Sequence, residues 1–128
     1  EVTAAAIARA QRVNPHLNAI QLECFERALS KPHFKPTGIF AGVPFFFKDN
    51  TDYQGLATTH GSKAVHGKTV LINPKISQQI LDQGFVVLGK TTLPEFGGVE
   101  GLKNMRQAGG GNAAAVVLVV ELHPLIPE

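Results

Sequence analysis

Three phenylalanines in a row run directly into a lysine, an aspartate and an asparagine, in the stretch Gly42-Val-Pro-Phe-Phe-Phe-Lys48-Asp-Asn50. Phe45 to Phe47 read as a buried strand. Aromatic and β-branched side chains suit strands, and an unbroken apolar run suits a strand covered on both faces. Pro44 stands at the strand's start, where a missing N–H does least harm. A lysine placed straight after such a strand is costly to bury as a charge without a partner. Two readings of Lys48 follow. Its stem lies along apolar surface while the ammonium reaches water, or desolvation lowers its pKa and lets it act as a base.

The 128 residues suffice for one modest domain with one core, and the hydrophobic content of 44% is that of a globular chain. A net charge of +2 with dispersed basic residues gives no footing for nucleic acid. Cys24 is the single cysteine, so no internal disulfide forms and a reducing, cytoplasmic setting is expected; the residue itself reads as a small buried hydrophobe. The longest apolar run, Ala113 to Val120, is too short to span a bilayer, and no membrane partner is expected. The chain starts at Glu1 and reads as cut or processed at its front.

In chain order, Ala6, Ile7, Ala10 and Val13 recur at helical spacing, with Arg9 and Arg12 on the other side. This predicts a helix over 2–13, stopped by Asn14-Pro15. Leu17 to Leu22 reads as a short strand. Glu23 to Ser30 reads as a helix with Cys24, Phe25, Ala28 and Leu29 on one side. Residues 31–38, with two prolines and a closing glycine, read as a loop before the central strand. The long connection 51–69, rich in Gly, Thr and His, is of a length that is often functional. Val70 to Ile72 is a short apolar piece closed by Asn73-Pro74. Lys75 to Gln83 predicts a helix with Ile76, Ile80 and Leu81 inward and Gly84 as its stop. Phe85 to Leu88 predicts another buried strand, and Thr91 to Phe96 a short helix with Pro94 near its start. Helix, glycine and strand in succession imply an α/β fold, helices packed on a mixed β-sheet. Residues 1–97 form one segment. From Gly98 to Glu128 the chain is a glycine-rich, then apolar, tail of different character.

Gly84-Phe-Val-Val-Leu-Gly89-Lys90-Thr91 matches the letters of a phosphate-binding loop. Its four variable positions are strand formers, and it follows a helix where a phosphate cradle would open one, so nucleotide binding is rejected. The five histidines, at 16, 33, 60, 66 and 123, lack metal-site spacing, and no metal is expected. His60 and His66 fit either a pocket lining or a polar surface loop. Ser30, Ser62 and Ser77 are the only serines. A serine nucleophile needs a neighbouring base. Ser30 and Ser77 fall on the polar sides of predicted helices, and Ser62 beside Lys48 makes a conceivable dyad.

Several blocks together, in order and spacing, resemble the amidase signature family over about residues 13–97. They are Asn14-Pro15-x-Leu17-Asn18-Ala19, the Gly-Val-Pro-Phe strand into Lys48-Asp49-Asn50, the Thr58-Thr59-His60-Gly61-Ser62 turn, and Gly89-Lys90-Thr91-Thr92-Leu93-Pro94-Glu95-Phe96. The resemblance implies hydrolysis of, or transfer from, carboxylic amides by a Ser, cis-Ser, Lys triad, without cofactor or metal. Lys48 matches the family's catalytic lysine, while Lys90 and Glu95 match structural positions. Such a lysine, with a reference pKa of about 10.4, accepts a proton at neutral pH only where its surroundings disfavour charge. Each oxyanion-hole donor contributes about 3 kcal/mol to the transition state.

The family's glycine-serine stretch has as its only counterpart Gly109-Gly110-Gly111-Asn112 before three alanines, without a serine. The cis-bonded serine is therefore missing, and the nucleophile, which lies further along in the family, is not reached. The chain is expected to be an incomplete amidase-signature-type domain, inactive alone, with a small-molecule amide as the substrate of the complete enzyme. The alternatives are a non-catalytic amidase-like remnant and a piece of the amide-hydrolysing component of an amidotransferase that releases ammonia for charging a transfer RNA. Apolar surface left uncovered by an incomplete domain would favour self-association.

Overall fold

The computed structural model describes residues 1–30 and 37–98. The expected loop 31–38 therefore lies mostly outside the described residues, and so does the tail from 99 onward. The elements are α1 (Val2–Leu17), β1 (Ile20–Glu23), α2 (Phe25–Leu29), β2 (Pro44–Lys48), α3 (Lys75–Asp82), β3 (Val86–Thr91) and a 3-10 turn at Glu95–Gly97. The fold is α/β with a mixed sheet, in the order β1-β3-β2. β3 runs antiparallel to β1 and parallel to β2.

The sequence expectation put the triple-phenylalanine strand at the centre. Among the described residues β3 is central and β2 lies at an edge. The phenylalanines still divide between two faces. Phe46 packs on the cluster of Ala6, Ile7, Ala10, Phe25 and Leu88, beneath α1 and α2. Phe47 joins Tyr53 and Val87 in a second cluster, with Phe45, Ile80 and Leu81 against it. Apolar layers on both sides of β2 account for its unbroken run.

α1 does not stop at Asn14-Pro15 but runs a further turn to Leu17. The ring of Pro15 removes the bond to the carbonyl of Gln11, and Gln11 is exposed, so water can satisfy that oxygen. Asn14 ends the helix by another route. Its backbone oxygen accepts from Asn18, which is left-handed at φ 47°, and its side-chain oxygen accepts from the N–H groups of Ala19 and Ile20. β1 begins at Ile20, three residues later than expected.

Two helix faces differ from their predicted ones. On α3 it is Ser77 that is fully buried, while Ile76 is 57% exposed. The Ser77 hydroxyl donates to the backbone oxygen of Asp52, which draws that face of the helix onto the loop after β2. On α2 Leu29 is exposed and Phe25 is the buried residue. Leu71 and Ile72 are exposed and form no strand, although Thr69 bridges to Ala57. The expected helix at 91–96 is β3's last residue followed by the 3-10 turn. No helix among the described residues is long and apolar enough to cross a membrane.

Candidate active site

The site lies where the parallel strands β2 and β3 both end, the side of an open α/β sheet on which ligands usually bind. Lys48 closes β2 and pairs in register with Thr91, the last residue of β3. Strand alternation puts Lys48 on the face of Phe46. Its side chain is half-buried, and burial lowers its pKa from the ordinary 10.5.

Asp49 follows immediately and is fully buried. Lys90 of β3, also fully buried, lies 3.0 Å from Asp49 Oδ1. The Lys90 ammonium further donates to Ala57 O at 2.8 Å and to Thr58 Oγ1 at 2.7 Å, so all three of its hydrogens have acceptors. Asp49 accepts from the N–H and the hydroxyl of Thr59, and from the N–H of Gly61 at 3.4 Å. Burial pushes the Asp49 carboxyl up. The hydrogen bonds from Thr59 and Lys90, with the charge of Lys90, outweigh that, and its pKa stays below the ordinary 3.8.

Lys90 reaches this position because β3 bulges. Phe45 pairs with Val87, but Phe46 pairs with Gly89, which leaves Leu88 as the extra residue. Leu88 faces the α1 cluster, whereas Lys90 comes opposite Phe47 and lies on the other face, with Asp49. Gly89 sits at φ 154°, and a Cβ there would come within 2.2 Å of Leu22 O. A bulge that redirects one side chain commonly carries such a glycine. The Gly84–Thr91 pattern is thus strand from Val86 onward, consistent with rejecting it as a phosphate loop.

The turn 58–62 packs against the segment after β3. His60 N donates to Asp49 O, Phe96 N donates to His60 O at 2.8 Å, and the two rings stack. A Cβ on Gly61, at φ 71°, would meet Leu93 O at 2.2 Å. The Ser62 hydroxyl donates to Glu95. The conceivable dyad of Ser62 with Lys48 is therefore not formed. The Ser77 hydroxyl donates to Asp52 O, and that of Ser30 to Arg27 O. Each serine hydroxyl among the described residues is turned to an acceptor other than Lys48. His60 belongs to the turn's packing, and His66 is exposed on the long connection. No group of three or more His, Cys, Asp or Glu gathers as a metal site among the described residues.

The structural place expected for Lys90 is the one it takes, buried in an ion pair. Asp49 as the partner of Lys90 was not legible in the sequence. The one available signal was that two lysines, Lys48 and Lys90, each follow closely on an apolar run, so that at least one of them needed a counter-charge.

A family model described as Amidase matches residues 1–108. The AmiC protein of Mycobacterium tuberculosis, a putative amidase by its description, is 40% identical over 99 residues, 76% of this chain and 21% of its own length. The 6-aminohexanoate-cyclic-dimer hydrolase of Paenarthrobacter ureafaciens is 38% identical over 100 residues, 76% of this chain and 20% of its own. A solved structure of 6-aminohexanoate cyclic dimer hydrolase complexed with substrate superposes with a TM-score of 0.67 at 36% identity, covering 75% of this chain and 20% of that one. The chain spans about a fifth of the length of these relatives. On that match, and with the motif lysine standing at the end of its parallel strand, the chain belongs to the amidase signature family.

Proposed function

We propose that these residues form the lysine-bearing part of an amidase-type hydrolase that cleaves carboxylic amide C–N bonds, with Lys48 as the ultimate base of a Ser, cis-Ser, Lys mechanism. The observation that carries the reading is the half-buried Lys48 at the end of β2, its ammonium disfavoured by desolvation. An unprotonated amine there accepts the proton of a serine hydroxyl, and that serine takes the proton of the nucleophile as it attacks the amide carbon. Neither serine role falls to Ser30, Ser62 or Ser77, whose hydroxyls serve other acceptors. These residues supply the base without the acyl acceptor, so the chain by itself does not turn over amides. A relative named for the hydrolysis of a 6-aminohexanoate cyclic dimer supports a small-molecule amide as the substrate.

The test is a transplant. Residues 1–97 replace the matching segment of the 6-aminohexanoate-cyclic-dimer hydrolase. The folded chimera is expected to hydrolyse that amide, and Lys48→Ala to lower kcat by about 10²- to 10⁴-fold. A folded chimera whose rate is the same with and without Lys48 would refute the reading. One observation favours a second reading, a non-catalytic remnant: Gly109-Gly110-Gly111-Asn112 carries no serine. A folded but inactive chimera with an ordinary Lys48 is the outcome for that case.

A further inference from the structure

The Lys48 mechanism uses neither Asp49 nor Lys90, yet the two are among the most deeply buried side chains described. Exchanging a buried ion pair for apolar residues of similar size is often neutral or stabilising, so stability alone is a weak reason for one. What this pair does is local. The Asp49 carboxylate joins three pieces of chain at one point. They are the end of β2, β3 through Lys90, and the 59–61 turn through Thr59 and Gly61. The Asp49 backbone is tied as well, its N–H to Thr91 O at 3.1 Å and its oxygen to His60 N at 3.0 Å. Lys48 O accepts from Thr51 N at 3.0 Å. The residue before this knot is Lys48.

We propose that Asp49 is the positioning residue for Lys48: its buried carboxylate, gripped by Lys90 and the 59–61 turn, fixes the strand end from which the Lys48 side chain springs and keeps that side chain half out of water. The inference rests on the reading of Lys48 as a base. It separates the lysine that ends β2 from the one a residue before the end of β3. Lys90 is locked by its acceptors in a dry interior, and Lys48 is held at the border of water by the lock.

The experiment uses the 128-residue chain. N-acetoxysuccinimide, which acylates only unprotonated amines, is applied across a pH series, and mass spectrometry follows each lysine separately. In the wild-type chain the Lys48 acylation profile is expected to have its midpoint below 10.5. Thr59→Val removes one donor to Asp49 while keeping the backbone N–H, and it is expected to move the Lys48 midpoint up toward 10.5. Thr59→Ser restores the donor and should restore the wild-type midpoint. Asp49→Leu combined with Lys90→Met removes the knot while keeping the site filled, and is expected to retain cooperative unfolding and lose the Lys48 shift entirely. The inference is overturned if Lys48 keeps its wild-type midpoint in folded Thr59→Val; should the double variant fail to fold, the Thr59 pair decides alone. A wild-type Lys48 midpoint at 10.5 would instead sink the reading of Lys48 as a base, and so tells the two failures apart.

Discussion

Lys90 Nζ stands 3.0 Å from Asp49 Oδ1 with neither side chain exposed to solvent. Removing one member leaves the other as a buried charge short of its counter-ion, which typically costs about 3–5 kcal/mol. Lys90→Met alone and Asp49→Asn alone are each expected to destabilise the chain by an amount in that range. Urea unfolding followed by circular dichroism checks this. The double apolar variant should recover most of the loss, and a double variant as unstable as the worse single one would contradict the pairing.

The same pair sets an acid limit. The folded-state pKa of Asp49 lies below its unfolded value of 3.8. Its contribution to stability is therefore complete above 3.8 and is lost as pH falls from there through the lower folded-state value. Thermal unfolding between about pH 2 and pH 6 should show a fall in midpoint over that window. Asp49→Leu with Lys90→Met should flatten the part of the fall due to this residue.

Lys48 is shifted in the same direction, but for a cation that shift is a cost at neutral pH. Its folded-state pKa is depressed below 10.5 by burial. The folded state thus binds fewer protons than the unfolded one between the two values, and stability rises with pH across that interval. Below it, holding the charged form half-buried is a standing cost. Lys48→Met is expected to raise stability at pH 7 slightly, within about 0.5 kcal/mol. A clear loss would mean that the lysine is there for the fold.

Gly89→Ala tests the bulge that aims Lys90. An added Cβ would meet Leu22 O at 2.2 Å, from a backbone φ of 154° that side chains disfavour. A loss of at least about 2 kcal/mol is expected from strain and displaced backbone. Lys90 amide protection from hydrogen exchange should fall with it. Gly97→Ala, at φ 74° with nothing within 4 Å of an added Cβ, is the control that carries backbone strain without the clash.

Ser77→Ala tests the buried face of α3. The change removes the donor to Asp52 O from a side chain fully excluded from solvent. The expected cost is about 1–2 kcal/mol. An unchanged unfolding midpoint would mean that water replaces the hydroxyl.

Much of this protein is local chemistry and is open to reading from the chain. Phe45 to Phe47 favour a strand, because aromatic side chains suit strands and an unbroken apolar run suits one covered on both faces. Lys75 to Asp82 is helical in pattern, and Gly84 follows where a left-handed turn is needed. The motif blocks that carry the family resemblance are ordered along the chain and need no coordinates. What the sequence could not show is which lysine is locked in a buried ion pair and which is half-buried. The acceptors of Lys90 come from Asp49, Ala57 and Thr58, on the far side of a helix and a long loop. Strict alternation would put Lys90 on the face of Leu88, and a single extra residue in β3 turns it to the other face. Pro15 looks like a stop in the sequence and is not one, because its cost depends on whether Gln11's carbonyl meets water, which is a property of the packed molecule. Spacing along a chain determines helices, strands and motifs, since these follow from neighbouring dihedrals and side-chain shapes. The state of a charge depends on what surrounds it in three dimensions, and only the tertiary structure supplies that.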